Sequence, residues 1–249
     1  MVTVGARTSH GKTALVLQIV MDILDCKKRV LYMSFEMEPE EILERMFCHK
    51  YRINNMDLLK GRFEYCLSDW NLFQQYIKNV QFVFSSDFGK TWQEIDRFIS
   101  EIEQKPDLIV IDYIQAVAGA SSQGKPFIDE YIRHFKQMCS ENCFCGVLVS
   151  QLNRSNPENK DKSPKLHELK GSGFLEECSD VVILLDWVCK HSDVEDESLY
   201  VVNVAKNRNG RTGFIKLNFE PKYYLFQEYM DNPENRAVAD ELNRQEHLV

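Results

Sequence analysis

The 249-residue chain has no run of eighteen or more apolar residues, so no segment reads as a membrane-spanning helix. Its opening stretch, MVTVGARTSHGKTALVLQIVMDIL, is broken by glycines and charges and lacks the layout of a secretory leader. An excess of positive charge is also missing. With 38 acidic and 30 basic residues the formal balance is −8, which excludes a global basic field that would hold nucleic acid by charge alone. Any such contact must use local patches. Eight cysteines are too few for a small disulfide scaffold, and Cys66, Cys178 and Cys189 lie within or beside apolar stretches, as reduced cysteines do. Cys139, Cys143 and Cys145 cluster in CSENCFC, but no pair of C-x-x-C spacings and no suitably spaced histidine completes a metal set, so core packing is expected. The expectation is a soluble, cytoplasmic protein with one large domain.

What is present is an alternation. Strand-length apolar runs recur at RVLYMSF, VQFVFS, DLIVID, FCGVLVS, DVVILL and LYVVNVA, and amphipathic stretches of helical period separate the first five. The runs are nearly continuous in Val, Ile and Leu, as strands buried on both faces should be. Pro39 marks a first helical turn, and Thr91 to Glu94 spell a capping box. After about residue 198 the pattern becomes three strand-like pieces, LYVVNVAKN, GFIKLNFE and YYLFQEY, joined by RNGRT and PK. The fold class is therefore α/β, with a mostly parallel central sheet flanked by helices and antiparallel strands at the C-terminal end. Residues 1–228 form the expected domain. Asp231 to Val249 carries five acidic and two basic residues with little apolar content, so 229–249 is expected to be an acidic C-terminal tail.

The segment Ala6-Arg7-Thr8-Ser9-His10-Gly11-Lys12-Thr13 matches the relaxed phosphate-loop pattern [AG]-x-x-x-x-G-K-[ST], between an apolar strand remnant and an apolar helix. Such a turn aims backbone N–H groups at phosphate oxygens, and the following helix adds the positive end of its dipole. Lys12 is expected to reach the β- and γ-phosphates of ATP, and the Thr13 hydroxyl to ligate Mg²⁺. The metal-positioning acid is expected to be Asp112, which ends the buried run DLIVID at the carboxyl edge of the sheet.

Tyr113 follows Asp112, so the catalytic glutamate many ATPases carry there is absent. Glu36, at the same edge after VLYMS, is a candidate base for the attacking water, although a helix-start glutamate facing a dipole explains its position equally. Gln151 ends VLVSQ and is a candidate γ-phosphate sensor, or simply a polar loop start. Arg154, Lys160, Lys162, Lys165 and Lys170 form a basic stretch on that edge, read as a nucleic-acid backbone contact or a solvated loop.

Five segments thus stand in one order: GARTSHGKT, SFEM, IDYIQ, SQLNR and AKNRNG. The set resembles the carboxyl-terminal motor domain of DnaB-type replicative DNA helicases, from the start of the chain to about residue 228. The resemblance implies a RecA-like P-loop NTPase fold, with ATP and Mg²⁺ as cofactors. It makes Lys12 and Thr13 the phosphate and metal contacts, Asp112 the acid behind the metal, Glu36 the general base and Gln151 the sensor. Lys206 and Arg208 match a pair that acts in the neighbouring subunit's site; without the resemblance, Asn209-Gly210 reads only as a hairpin turn. It also implies single-stranded DNA as partner, a hexameric homo-oligomeric ring, and a primase or helicase loader met through regions outside this sequence. Two alternatives remain: a RecA- or KaiC-like ATPase of recombination or signalling, and a nucleotide-binding adaptor that does not hydrolyse.

Overall fold

Alternating burial organises the molecule. In strand β2 (Val30–Ser34), Val30 and Tyr32 join one apolar cluster while Leu31 and Met33 join another. In β4 (Leu108–Asp112), Leu108 and Val110 take the first side and Ile109 and Ile111 the second. A strand sends successive side chains to opposite faces, so these runs need cover on both. Helix α1 (Lys12–Asp25), α2 (Pro39–Tyr51), the short α3 (Asn55–Leu59) and α4 (Leu67–Asn79) supply one face. The other is covered by α5 (Trp92–Glu101), α6 (Lys125–Glu141) and α7 (Ser172–Cys178).

The structure, a computed structural model, describes residues 1–62, 67–85, 91–117, 124–153, 162–169, 172–192 and 196–229. Among them nine strands form one sheet in the order β3-β2-β4-β5-β1-β6-β7-β8-β9. The remaining strands are β1 (Val2–Ala6), β3 (Phe82–Ser85), β5 (Cys145–Gln151), β6 (Val181–Trp187), β7 (Leu199–Asn207), β8 (Gly213–Glu220) and β9 (Leu225–Glu228). From β3 to β6 all neighbours are parallel; β7, β8 and β9 add antiparallel. The expected fold class and every expected strand are present.

Local signals account for the helix starts. Pro39 opens α2 where its missing N–H costs nothing, and Thr91 and Glu94 close the capping box ahead of α5 through reciprocal 3.3 Å bonds. Of the clustered cysteines only Cys139 is buried; Cys143 and Cys145 are exposed, so core packing explains one of the three. No group of three or more His, Cys, Asp or Glu side chains among the described residues suits a metal ion, and none of their helices is long and apolar enough to cross a membrane. The acidic tail from residue 230 onward lies outside the described residues, as do Cys66, Arg154, Lys160 and Lys170.

Helix α6 lies close against β5 because residue 146 is glycine. A Cβ there would fall 2.4 Å from Cys139 Sγ and 2.6 Å from the Phe135 ring. Gly146→Ala is expected to lower unfolding stability by about 1–3 kcal/mol through overpacking, measurable by urea denaturation; an unchanged midpoint would contradict this packing.

Candidate nucleotide-binding site

Strand β1 delivers Ala6 to the centre of the sheet's carboxyl edge, and the chain then curls through Arg7 to Gly11 before α1 begins at Lys12. The curl uses two left-handed residues, Ser9 (φ 61°) and Gly11 (φ 73°). Glycine suits the second, at the helix start, where a side chain would carry a steric cost. Thr8 and Ser9 are exposed, whereas His10 is buried and fastens the loop from behind. Its ring Nδ1 accepts the Trp187 N–H at 3.2 Å, and its carbonyl accepts the Tyr200 hydroxyl. Burial pushes the His10 pKa down to about 4 against the opposing pull of Asp186, whose carboxylate lies 3.9 Å from Nδ1. Asp186 also meets His191 at 2.7 Å.

Lys12 extends along the inside of the loop, its ammonium donating to the carbonyls of Ala6 and Arg7 at 3.3 Å each. Burial lowers its pKa, while the charges of Asp112 and Glu36 raise it. Both carboxylates therefore stand close enough to act on the ammonium. Thr13 donates its hydroxyl to Asp112 Oδ2 at 2.9 Å. Asp112 is 4 % exposed; burial raises its pKa, opposed by hydrogen bonds from Tyr32 and Thr13 and by the charges of Lys12 and Arg45.

Glu36 occupies an exposed turn directly after β2. The Ser34 hydroxyl closes that turn, donating to the Met37 carbonyl at 2.8 Å and accepting its N–H at 3.0 Å. Gln151 pairs in register with Ala6 at the end of β5. Its N–H donates to Gln115 Oε1 at 3.1 Å, Gln115 donates on to Ser150 Oγ at 2.8 Å, and the Gln151 side chain opposes the rise in the Tyr113 pKa. Tyr113 also feels Glu36, though burial is the main cause of its raised pKa. Lys12, Thr13, Asp112, Glu36 and Gln151 thus share one edge.

Lys206 and Arg208 do not join them. Through the register, Lys206 is level with Val182 and so with Thr3, and Arg208 donates its N–H to the Asp180 carbonyl beyond the start of β6. At ~3.3 Å per residue Arg208 is about 17 Å behind Ala6 along the strands, at the opposite end of the sheet. There the Lys206 ammonium donates to the carbonyls of Glu176 (2.5 Å) and Glu177 (3.4 Å), and the exposed Arg208 guanidinium lies 3.3 Å from Asp180. Burial would raise the Asp180 carboxyl, but Lys136 and the Met1 amino group hold it down at about 2.

Sequence reasoning missed three members of this neighbourhood. A tyrosine inside the buried run VLYMS should have drawn notice, because a buried phenol must find an acceptor; Tyr32 finds Asp112. Gln115 and Glu168 gave no such signal. Glu168 lies 3.4 Å from the Arg7 guanidinium, whose Nε is buried without a partner among the described residues. The expected basic stretch is described only in part: Asn153 donates to the Glu168 carbonyl at 2.7 Å, and Leu152 bridges to Leu169.

The donor set suits a magnesium nucleotide. Mg²⁺ prefers hydroxyl and carboxylate oxygens with phosphate oxygens and water, not an all-protein cage. A hydroxyl already aligned with a buried carboxylate, beside a lysine covering the loop carbonyls, matches that chemistry.

Comparisons with known proteins bear on the family and the fold. The family model for the DnaB-like helicase C-terminal domain matches residues 1–228. The replicative DNA helicase DnaB of Geobacillus stearothermophilus is 28% identical over 243 residues, covering 91% of this chain and 52% of its own length. A probable replicative DNA helicase of Trieres chinensis is 30% identical over 244 residues, with 92% and 53% covered. The chain spans about half the length of these curated relatives. Among solved structures, one described as an ATPase domain superposes with a TM-score of 0.82 at 26% identity, covering 92% of this chain and 84% of that one. A DnaB-like replicative helicase, described with its interactions with primase, gives 0.80 at 27% identity, covering 92% and 57%.

The neutral, buried His10 makes stability depend on pH. Its folded pKa of about 4 lies below the ordinary 6.5, so between these values the unfolded chain binds more protons. Stability is therefore lost as pH falls from 6.5 towards 4, by up to about 3 kcal/mol from this group. His10→Asn keeps an acceptor for the Trp187 N–H but cannot titrate. Urea denaturation at pH 7 and pH 4.5 should show a smaller loss in the variant than in the native chain; equal losses would clear His10.

Proposed function

The chain belongs to the DnaB-like helicase C-terminal domain family, and on that premise we propose that it is the ATP-hydrolysing motor of a replicative DNA helicase, completing its active sites between neighbouring copies. The observation that carries this reading is the division of the candidate residues between two ends of one sheet. Lys12, Thr13, Asp112, Glu36 and Gln151 stand at the carboxyl edge, and Lys206 and Arg208 at the other, so one chain does not complete its own site. A head-to-tail contact, in which the back of one copy faces the loop of the next, brings the two halves together and closes as a ring. A hexamer is the ring the family resemblance implies.

In the proposed reaction Lys12 leaves the carbonyls of Ala6 and Arg7 for the β- and γ-phosphate oxygens, while the loop N–H groups from Arg7 to Thr13 cradle the remainder. The Thr13 hydroxyl, with Asp112 behind it, would hold magnesium, which would supply charge neutralisation at the phosphates. Glu36 takes a proton from the attacking water, and its exposed turn leaves it open to solvent on that edge. Arg208 and Lys206 of the neighbouring copy stabilise the charge that gathers on the γ-phosphoryl group. Gln151, tied through its backbone to Gln115 and Ala6, passes loss of that group to the loops that follow β5. Those loops carry the basic stretch, the proposed grip on single-stranded DNA. Translocation along that strand, in the cytoplasm and alongside a primase or loader met outside this sequence, completes the proposal.

The test is steady-state ATP hydrolysis over a range of protein concentration, with and without single-stranded DNA. A rate per subunit that rises with both supports the motor; a rate indifferent to both opposes it. Lys12→Ala should abolish nucleotide binding. Glu36→Gln should bind normally while kcat falls by about 10²–10⁴, and normal turnover would remove its role as base. Mixing Arg208→Ala with Lys12→Ala chains should restore part of the hydrolysis that each lacks alone. No recovery in rings shown to be mixed would count against sharing across an interface.

A further inference from the structure

Tyr32 stands on β2 in a position that packing alone would fill with an aliphatic side chain. It is wholly buried, its ring stacked on Phe84 (centroids 6.2 Å apart, planes 13° apart) with Phe82 at 6.3 Å. Its hydroxyl donates to Asp112 Oδ2 at 2.6 Å, the same oxygen that accepts the Thr13 hydroxyl at 2.9 Å. Asp112 is in register with Ser34, two residues beyond Tyr32, so both side chains leave the sheet on one face.

We infer that Tyr32 is a positioning residue of the magnesium-nucleotide site, acting through Asp112. The inference rests on the phosphate-site reading above. A carboxylate turns easily about its terminal torsion, whose energy profile is broad and two-fold. One donor on a helix, Thr13, leaves that rotation open. A second donor on a rigid phenol, itself packed against two aromatic rings of β3, closes it. With Asp112 fixed, the Thr13 proton stays committed to the carboxylate and the hydroxyl oxygen keeps its lone pairs for the metal. Magnesium demands near-ideal octahedral geometry, so a loosened acid should weaken metal binding more than nucleotide binding as such. Loss of a group that orients a metal's immediate partners typically costs 10–100-fold in metal affinity.

The experiment measures the affinity of the whole chain for a fluorescent ATP analogue, once with Mg²⁺ and once with EDTA. Tyr32→Phe keeps the ring and removes only the hydroxyl. Its Mg²⁺-dependent gain in affinity should shrink by about tenfold, while the EDTA affinity stays within about twofold of native. A gain that is unchanged, or an equal loss with and without metal, overturns the inference. In an Asp112→Asn background the substitution should reduce the gain no further; a full additional loss means that Tyr32 does not act through Asp112. Should Tyr32→Phe fail to fold, 3-fluorotyrosine at position 32 of the native chain is the second probe. Its ¹⁹F resonance should move when Mg²⁺ joins the ATP complex, and an unmoved resonance overturns the inference. A native chain that binds no nucleotide takes the phosphate-site reading down as well, whereas Mg²⁺-enhanced native binding untouched by Tyr32→Phe counts against Tyr32 alone.

Discussion

A carboxylate buried at the end of an apolar strand is the constraint around which this molecule is arranged. Asp112 closes a strand of four buried aliphatic residues, and an isolated charge there would be costly unless donors and cations met it. They come from separate parts of the chain: a hydroxyl from the first turn of α1, a phenol from β2, the Lys12 ammonium, and Arg45 from α2. Each element reaches the carboxylate only when the parallel order β2-β4-β5-β1 has formed. The acid thus reports correct assembly of the sheet as well as serving the site, and the cluster of α1, α2 and α4 side chains packs around the result.

Most of the fold was legible because its strands are buried on both faces. Runs such as VLYMS and LIVID lack polar interruption, and the turn and cap residues between them, Pro39, Thr91 and Asn209-Gly210, have local meanings that tertiary structure did not override. The loop from Ala6 to Thr13 and Asp112 were legible for a related reason: phosphate and metal chemistry restrict residue type and spacing, and the strand ends bring the pieces to one edge. Illegible were pairings between distant segments that no spacing encodes. Nothing in the string joins Arg7 to Glu168, Gln115 to Ser150, or His10 to Trp187 at the end of β6. Cys143 and Cys145 misled for the opposite reason: they sit where α6 ends and β5 begins, and hydrophobic company in sequence did not become burial.

The two ends of the sheet are chemically unlike. At the carboxyl edge stand hydroxyls, a lysine and carboxylates, with the loop from Arg7 to Gly11 curling around the lysine. At the other end Lys206 neutralises the carbonyls that close α7, where a cation complements the helix dipole, and Arg208 pairs with Asp180 at the surface. Asp180 is half-buried and shared with Lys136 and the Met1 amino group, while Arg208 is exposed. On the proposed reading these contacts are given up when a neighbouring copy presents its phosphate.

The pinning of the chain on either side of the basic stretch has a consequence for how the protein can vary. Asn153 and Glu168 are hydrogen-bonded, Leu152 and Leu169 form a bridge, and Leu152 N–H is bonded to the Ala6 carbonyl at 3.0 Å. The ends of that excursion are set by the sheet, whatever lies between them. Loop-closure entropy grows only logarithmically, by about 0.6 kcal/mol for each doubling in length. Closure entropy therefore sets little limit on the number of residues between these two anchors, and Ala6 keeps its pairing with β5 whatever that number is.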